Sequence, residues 1–154
     1  MNKPTNIRFT RAAILFGVLA AIMALLPALL IDEQSYFGYD IIFGKELVDL
    51  DFFGLGSVAS ARLVFNVWAL LAYGLPLVGV GILVFSPKLS VLSFVAFVAS
   101  IILLVMLPEN VEIKTVLLGA ENFVEVDWSL GYGAILAMLF SGLAGLATLR
   151  LSFK

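Results

Sequence analysis

Few residues in this chain could do chemistry, and they gather in a few places. Arg62 and Asn66 stand four apart where an uncharged run begins, Leu63 to Phe85. On a helix that spacing puts both on one face, one turn apart. A guanidinium or a carboxamide in lipid costs free energy unless it is paired. The pair therefore predicts either a structural clamp, with Arg62 tied to a loop carboxylate such as Asp40, Asp49 or Asp127, or a substrate site. The clamp is the expected role. Asp49-Leu50-Asp51 and the trio Glu121, Glu125 and Asp127 offer oxygen ligands for a hard cation. They lack the spacing of a calcium loop, so solvated strand faces are expected and no metal site is assigned. With no cysteine and no histidine in the chain, thiolate zinc sites, disulfides and imidazole acid-base chemistry are excluded. No G-x-S-x-G, no phosphate loop and no carboxylate within an apolar run occurs. No catalytic residue, cofactor site or nucleic-acid interface is expected, and the chain is not read as an enzyme.

The elements that must position these residues are apolar. Of 154 residues 62% are hydrophobic and 13% charged, against about 45–50% and ~25% in a soluble domain. The solvent for most of the chain is lipid. The organising stretch is Arg62 to Pro108. Leu63–Phe85 and Leu89–Leu107 carry no charge, and only Ser86, Pro87 and Lys88 separate them. Each run is about the ~20 residues that cross the hydrocarbon as a helix, so the two predict an antiparallel transmembrane hairpin. Ala12–Ile31, read as an uncleaved helix with a kink at Pro27, and Ser129–Leu149 supply two more spans. The expected fold is an all-α membrane protein in a single domain, residues 1–154. It is a four-helix bundle with helices at about 12–31, 58–85, 89–108 and 129–149. Outer loops at about 32–57 and 109–128 are expected to form a small extracytoplasmic β-sheet.

The loops show period-two patterning. Tyr39–Phe43, a turn at Gly44-Lys45 and Glu46–Phe52 read as one hairpin. Val111–Thr115, a turn at Gly119–Asn122 and Phe123–Trp128 read as a second. An amphipathic interfacial helix over part of Glu112–Leu118 competes with the latter. Trp128 and Tyr132 are expected as interface anchors, and Trp68 as a packing residue deep in a span.

Charge sorts by side. Lys3, Arg8, Arg11, Lys88, Arg150 and Lys154 share one side with no acid; every Asp and Glu falls on the other, with Lys45, Arg62 and Lys114. The Lys/Arg bias sets both termini and the Lys88 turn in the cytoplasm of what is expected to be a bacterial plasma membrane. The last run also carries Gly133, Ala137, Ser141 and Gly145 at successive i+4 steps, a small-residue face for close helix packing. That face packs either the bundle itself, the favoured reading, or another protein.

Four spans, cytoplasmic termini, a long patterned first outer loop and Ala59-Ser60-Ala61-Arg62 opening the second helix resemble the claudin-like tetraspan architecture. The first loop here lacks the claudin W-GLW-C-C signature. Gly38–Gly44 (GYDIIFG) and Leu130–Leu136 (LGYGAIL) also resemble small four-span membrane proteins of bacteria. These resemblances imply topology and no activity. The function expected is a non-enzymatic membrane scaffold or accessory subunit, acting through its outer loops and the small-residue face on a membrane-protein partner or a second copy. The alternative is a channel or transporter component with an acidic outer vestibule for cations. No cofactor is expected.

Overall fold

The structure, a computed structural model, describes residues 4–31, 34–51, 57–117 and 119–152; the side chains of residues 4–6, 49–51, 57 and 58 are outside that description. Expectations placed on Lys3, Asp32, Glu33, Phe52, Leu118 and Lys154 lie outside the described residues, as do the side chains of Asp49 and Asp51.

Four helices are long and apolar enough to cross a membrane. The four apolar stretches, Ile7–Leu25, Val67–Phe85, Pro87–Val105 and Tyr132–Ser152, are built on α1 (Pro4–Ile22), α3 (Val67–Phe85), α4 (Ser90–Val105) and α5 (Tyr132–Ser152). In the bundle α1 packs on α3 and α5, and α4 packs on α3 and α5. Apolar side chains point outward all along them: Leu15, Val78, Leu92, Val95, Leu139 and Leu146 are each at least half exposed. Burial goes instead to small residues, with Ala13, Ala20, Ala69, Ala72, Ala134, Ala137 and Ala144 almost fully covered. A large apolar exterior over a small-residue interior is the arrangement lipid favours. The bundle is centred on Phe97 of α4, which is fully buried. Cβ atoms added at Gly17 of α1 and Gly79 of α3 would come within 2.9 and 3.1 Å of its ring, and one at Gly145 of α5 within 3.8 Å of its Cβ. Glycines on three helices thus make room for one phenylalanine.

Pro76 interrupts the hydrogen-bond ladder of α3. Having no N–H, it leaves the carbonyl of Ala72, four residues earlier, without its helical partner. The hydroxyl of Ser100 on α4 donates to that carbonyl at 2.6 Å. Bare polar groups are costly in hydrocarbon, and neighbouring-helix hydroxyls are among the groups that repair proline gaps there.

The all-α expectation, with one small sheet made by the loops, is corrected. The chain is mixed α and β, with two antiparallel sheets of three and four strands. Strands also occupy residues expected to be helix. β1 (Pro27–Ile31) comes out of the run assigned to the first span. Pro27 does not kink that helix but ends it: the residue before a proline is pushed out of the α region, and Leu26 has φ −109° and ψ 161°. β1 is the central strand of the smaller sheet, between β2 (Gln34–Phe37) and β7 (Ser129–Leu130), the latter drawn from the expected fourth span. The larger sheet runs β3 (Lys45–Asp51), β4 (Ser57–Leu63), β5 (Ile113–Leu117), β6 (Ala120–Val124). β4 was expected to begin the second helix. It pairs with β3 on one side and β5 on the other, and those non-local pairings override the weak local preference of a Ser-Ala-rich segment. Tyr39–Phe43, expected as a strand, belongs instead to a short helix, α2 (Gly38–Phe43), ended by Gly44 at φ 85°. The partner of β3 is therefore β4. Residues 113–117 are strand, so no interfacial helix forms there. Gly119, at φ 83°, turns β5 into β6; the turn is tighter than the expected Gly119–Asn122, since Ala120–Asn122 already pair with β5, and β6 stops at Val124 rather than running on to Trp128.

Both sheets lie at one end of the bundle. At the other, the Ser90 hydroxyl at the start of α4 lies 3.0 Å from that of Ser152 at the end of α5. There too the Arg150 guanidinium stands 5.1 Å over the Phe9 ring of α1. Every described acid belongs to the sheet end.

Candidate functional site

The candidate site is the sheet end, where strands meet the heads of α3 and α5. Asn66 caps α3: its Oδ1 accepts from the N–H of Ala69 at 3.0 Å, as short polar side chains do at a helix start. Its amide donates to the Asn110 carbonyl at 2.5 Å, and the Asn110 amide donates to Met106 O at 2.7 Å. This relay fastens the first turn of α3 to the last turn of α4. Trp128 is not an exposed anchor. It is buried, donating from Nε1 to Val111 O at 3.0 Å and meeting the Tyr36 ring edge-on at 5.3 Å. It joins the smaller sheet to the approach of β5. Tyr132 is exposed at the first turn of α5.

Arg62 and Asn66 are not on one helix face. Arg62 is an exposed residue of β4, and Asn66 follows three residues after the strand's end. No ion pair of Arg62 occurs among the described residues. In register, Glu46, Arg62, Lys114 and Phe123 form one row across the four strands. Lys114 reaches diagonally to Glu121 at 2.6 Å. That bond, with the charge of Lys114 and then of Arg62 behind it, lowers the pKa of Glu121 below the usual carboxylate value. On α2, the buried carboxylate of Asp40 accepts from Lys45 Nζ at 3.0 Å, which raises the pKa of Lys45. Sequence reasoning missed this pair because it read Asp40 as part of a strand.

Among the described residues, hollows open at this end. An apolar groove of about 270 Å³ lies on the sheet, floored by Ala59, Ala61 and Thr115 with Val48, Leu117 and Val124 around it. A second, about 380 Å³, lies beside Gly44, Lys45, Arg62 and Phe65. A third, about 540 Å³, is acidic, with Glu109, Glu112, Glu125 and Asp127 around Trp128. A fourth, about 310 Å³, lies over the start of α3. Among the described residues no three acids are grouped so that they could hold a metal ion.

The small-residue face of α5 is buried within the chain: Gly133, Ala137, Ser141 and Gly145 are all covered. A Cβ on Gly133 would come within 2.7 Å of Pro27 O, where β1 begins. Ser141 Oγ lies 3.5 Å from Ser100 Oγ on α4, and Gly145 faces Phe94 and Phe97. Trp68, expected deep in a span, is half exposed in the first turn of α3. Ser100 and Phe97 were not singled out in the sequence; a proline in an apolar run, here Pro76, is the signal that some hydroxyl must answer it. No family model, curated protein or solved structure matches the chain.

Proposed function

We propose that this protein is a non-enzymatic integral membrane scaffold or accessory subunit, with its sheet end outside and its termini and the Lys88 turn in the cytoplasm. Orientation rests on the cationic end formed by Arg8, Arg11, Lys88 and Arg150, since basic residues stay on the cytoplasmic side. The observation that carries the scaffold reading is the β6 edge of the four-stranded sheet. Among the described residues β6 is paired on one side only, and all five of its residues are exposed. Soluble ends of proteins usually protect such an edge, because it adds strands from other chains. The apolar groove on the same sheet, with Val48 and Leu117 more than half exposed, gives an added segment something to bury. The small-residue face of α5 is occupied inside the chain, so the reading rests on the sheet.

The test is photo-crosslinking in native membranes from Leu117 of β5 and Asn122 of β6. One protein species recurring at both positions, and missing from the lipid-facing position Leu146, is the expected result. Lipid adducts alone at all three would remove the scaffold reading. A second reading, a channel or transporter component, draws on the acidic hollow, whose field concentrates cations. Phe97 filling the bundle centre weighs against a pore through a single copy, and cation flux in liposomes would decide for it.

A further inference from the structure

We infer that the hollow over the start of α3 binds an organic ammonium group carried by a lipid headgroup. Its walls come from three segments: Phe65 and Trp68 where β4 gives way to α3, Glu109 and Glu112 where α4 gives way to β5, and Phe123 of β6. Its floor is fixed by the Asn66 to Asn110 hydrogen bond.

The chemistry of the walls selects the ligand. Two carboxylates line the hollow and no Lys or Arg does. In the row that ends at Phe123, the ammonium of Lys114 is held by Glu121, and Arg62 stands two strands away. The field favours a cation. The three aromatic rings are each about half exposed or more: Phe65 54%, Trp68 49%, Phe123 61%. Aromatic faces attract ammonium groups and, with carboxylates, form the usual cage for alkylated amines. A divalent ion asks for more oxygens than two carboxylates supply.

The depth of the hollow selects the carrier. It sits at the head of a 19-residue apolar helix, Val67–Phe85, where aromatic side chains mark the headgroup layer of a bilayer. Below it, Val67, Leu70 and Leu71 are exposed along α3, an apolar track for the chains of a lipid whose amine is caged above. The acids repel phosphatidylglycerol and other anionic headgroups at the same depth.

The experiment is native mass spectrometry of the detergent-solubilised full chain, given phosphatidylethanolamine and phosphatidylglycerol with identical acyl chains. The wild type should retain one phosphatidylethanolamine in about tenfold preference, the size expected of a charge partner and a cation–π contact together. The Glu109→Gln/Glu112→Gln double variant should lose that preference, and Trp68→Leu should weaken it severalfold. Asp127→Asn, which lines only the neighbouring acidic hollow, should keep it. Equal retention of both lipids by the wild type, or an unchanged preference in the double variant, would overturn the proposal. If the double variant fails to fold, Trp68→Leu decides: full preference there is equally fatal. Free ethanolamine in modest excess should not displace the lipid; displacement would overturn the lipid as carrier and assign the cage to a soluble amine.

Discussion

Alanine at Gly133 is expected to destabilise the protein, whereas alanine at Gly145 on the same face of α5 is not. At Gly133 a Cβ would lie 2.7 Å from Pro27 O and 2.9 Å from Leu26 C and Cβ. Ordinary contact begins near 3.4 Å, so the first turn of α5 or the entry to β1 must retreat by several tenths of an ångström. Most of the atoms in the way are backbone, which cannot rotate aside. Overpacking of this kind costs about 1–3 kcal/mol, and the better helix propensity of alanine returns at most ~1 kcal/mol. A net loss of about 1–2 kcal/mol remains, a fall in Tm of roughly 3–6 °C for a chain this size. At Gly145 the nearest atom is Phe94 Cδ2 at 3.6 Å, and at Gly81 of α3 nothing lies within 4 Å. Both alanine variants should melt at or above the wild type. Thermal unfolding in one detergent compares the three. If the stripe served another protein instead, all three would leave the Tm unchanged and Gly133→Ala would disturb an oligomer. A Gly133→Ala protein as stable as the wild type would refute the packing argument.

Asn66→Ala removes the α3 cap and the tie to Asn110, and should cost about 1–2 kcal/mol; Asn66→Asp keeps the capping oxygen and should lose less, so equal losses in denaturation would show that the cap carries nothing. Glu121 titrates below the usual carboxylate range, so the stability its ion pair contributes is present above the ordinary carboxylate pKa and is lost as pH falls through the lowered value. Lys114→Met should return its titration, followed by carboxyl NMR, toward the ordinary value. For topology, Lys88→Cys should be shielded from an impermeant thiol reagent in intact cells and Glu121→Cys labelled, and the reverse pattern would invert the orientation. Ser100→Ala should destabilise by about 1–3 kcal/mol, the cost of a bare buried carbonyl, and Pro76→Ala in the same background should recover much of it; no recovery would show that Ser100 matters for some other reason.

Unbroken apolar runs report helices long and apolar enough to cross a membrane, so the presence of all four was legible, although α1 starts at Pro4 and not at Ala12. Their outer ends were not, because the signals there point two ways. Pro27 in an apolar run fits a kinked helix as well as a stop, and β1 pairing with β2 and β7 decides between them. Asn66 read as a carboxamide stranded in lipid because Ser57–Leu63 read as helix; once β5 claims that segment as a strand, the same residue is a cap. Arg62 moved with it, from a helix face to an exposed sheet row. The hollow over α3 was illegible for the same reason. Phe65, Glu109 and Phe123 come together through strand pairing across distant parts of the chain, which no local pattern encodes.

The bond from Ser100 to Ala72 also imposes a schedule. The two residues are 28 apart in the chain. At ~5–20 residues per second of synthesis, the carbonyl opposite Pro76 exists for roughly 1–6 s before the hydroxyl that completes it has been made. On the proposed reading, in which α3 and α4 cross a membrane, that open carbonyl turns to water in the meantime. The second span then closes its hydrogen bonds when the third arrives, and Pro76 ties the two helices into one pair across the Lys88 turn.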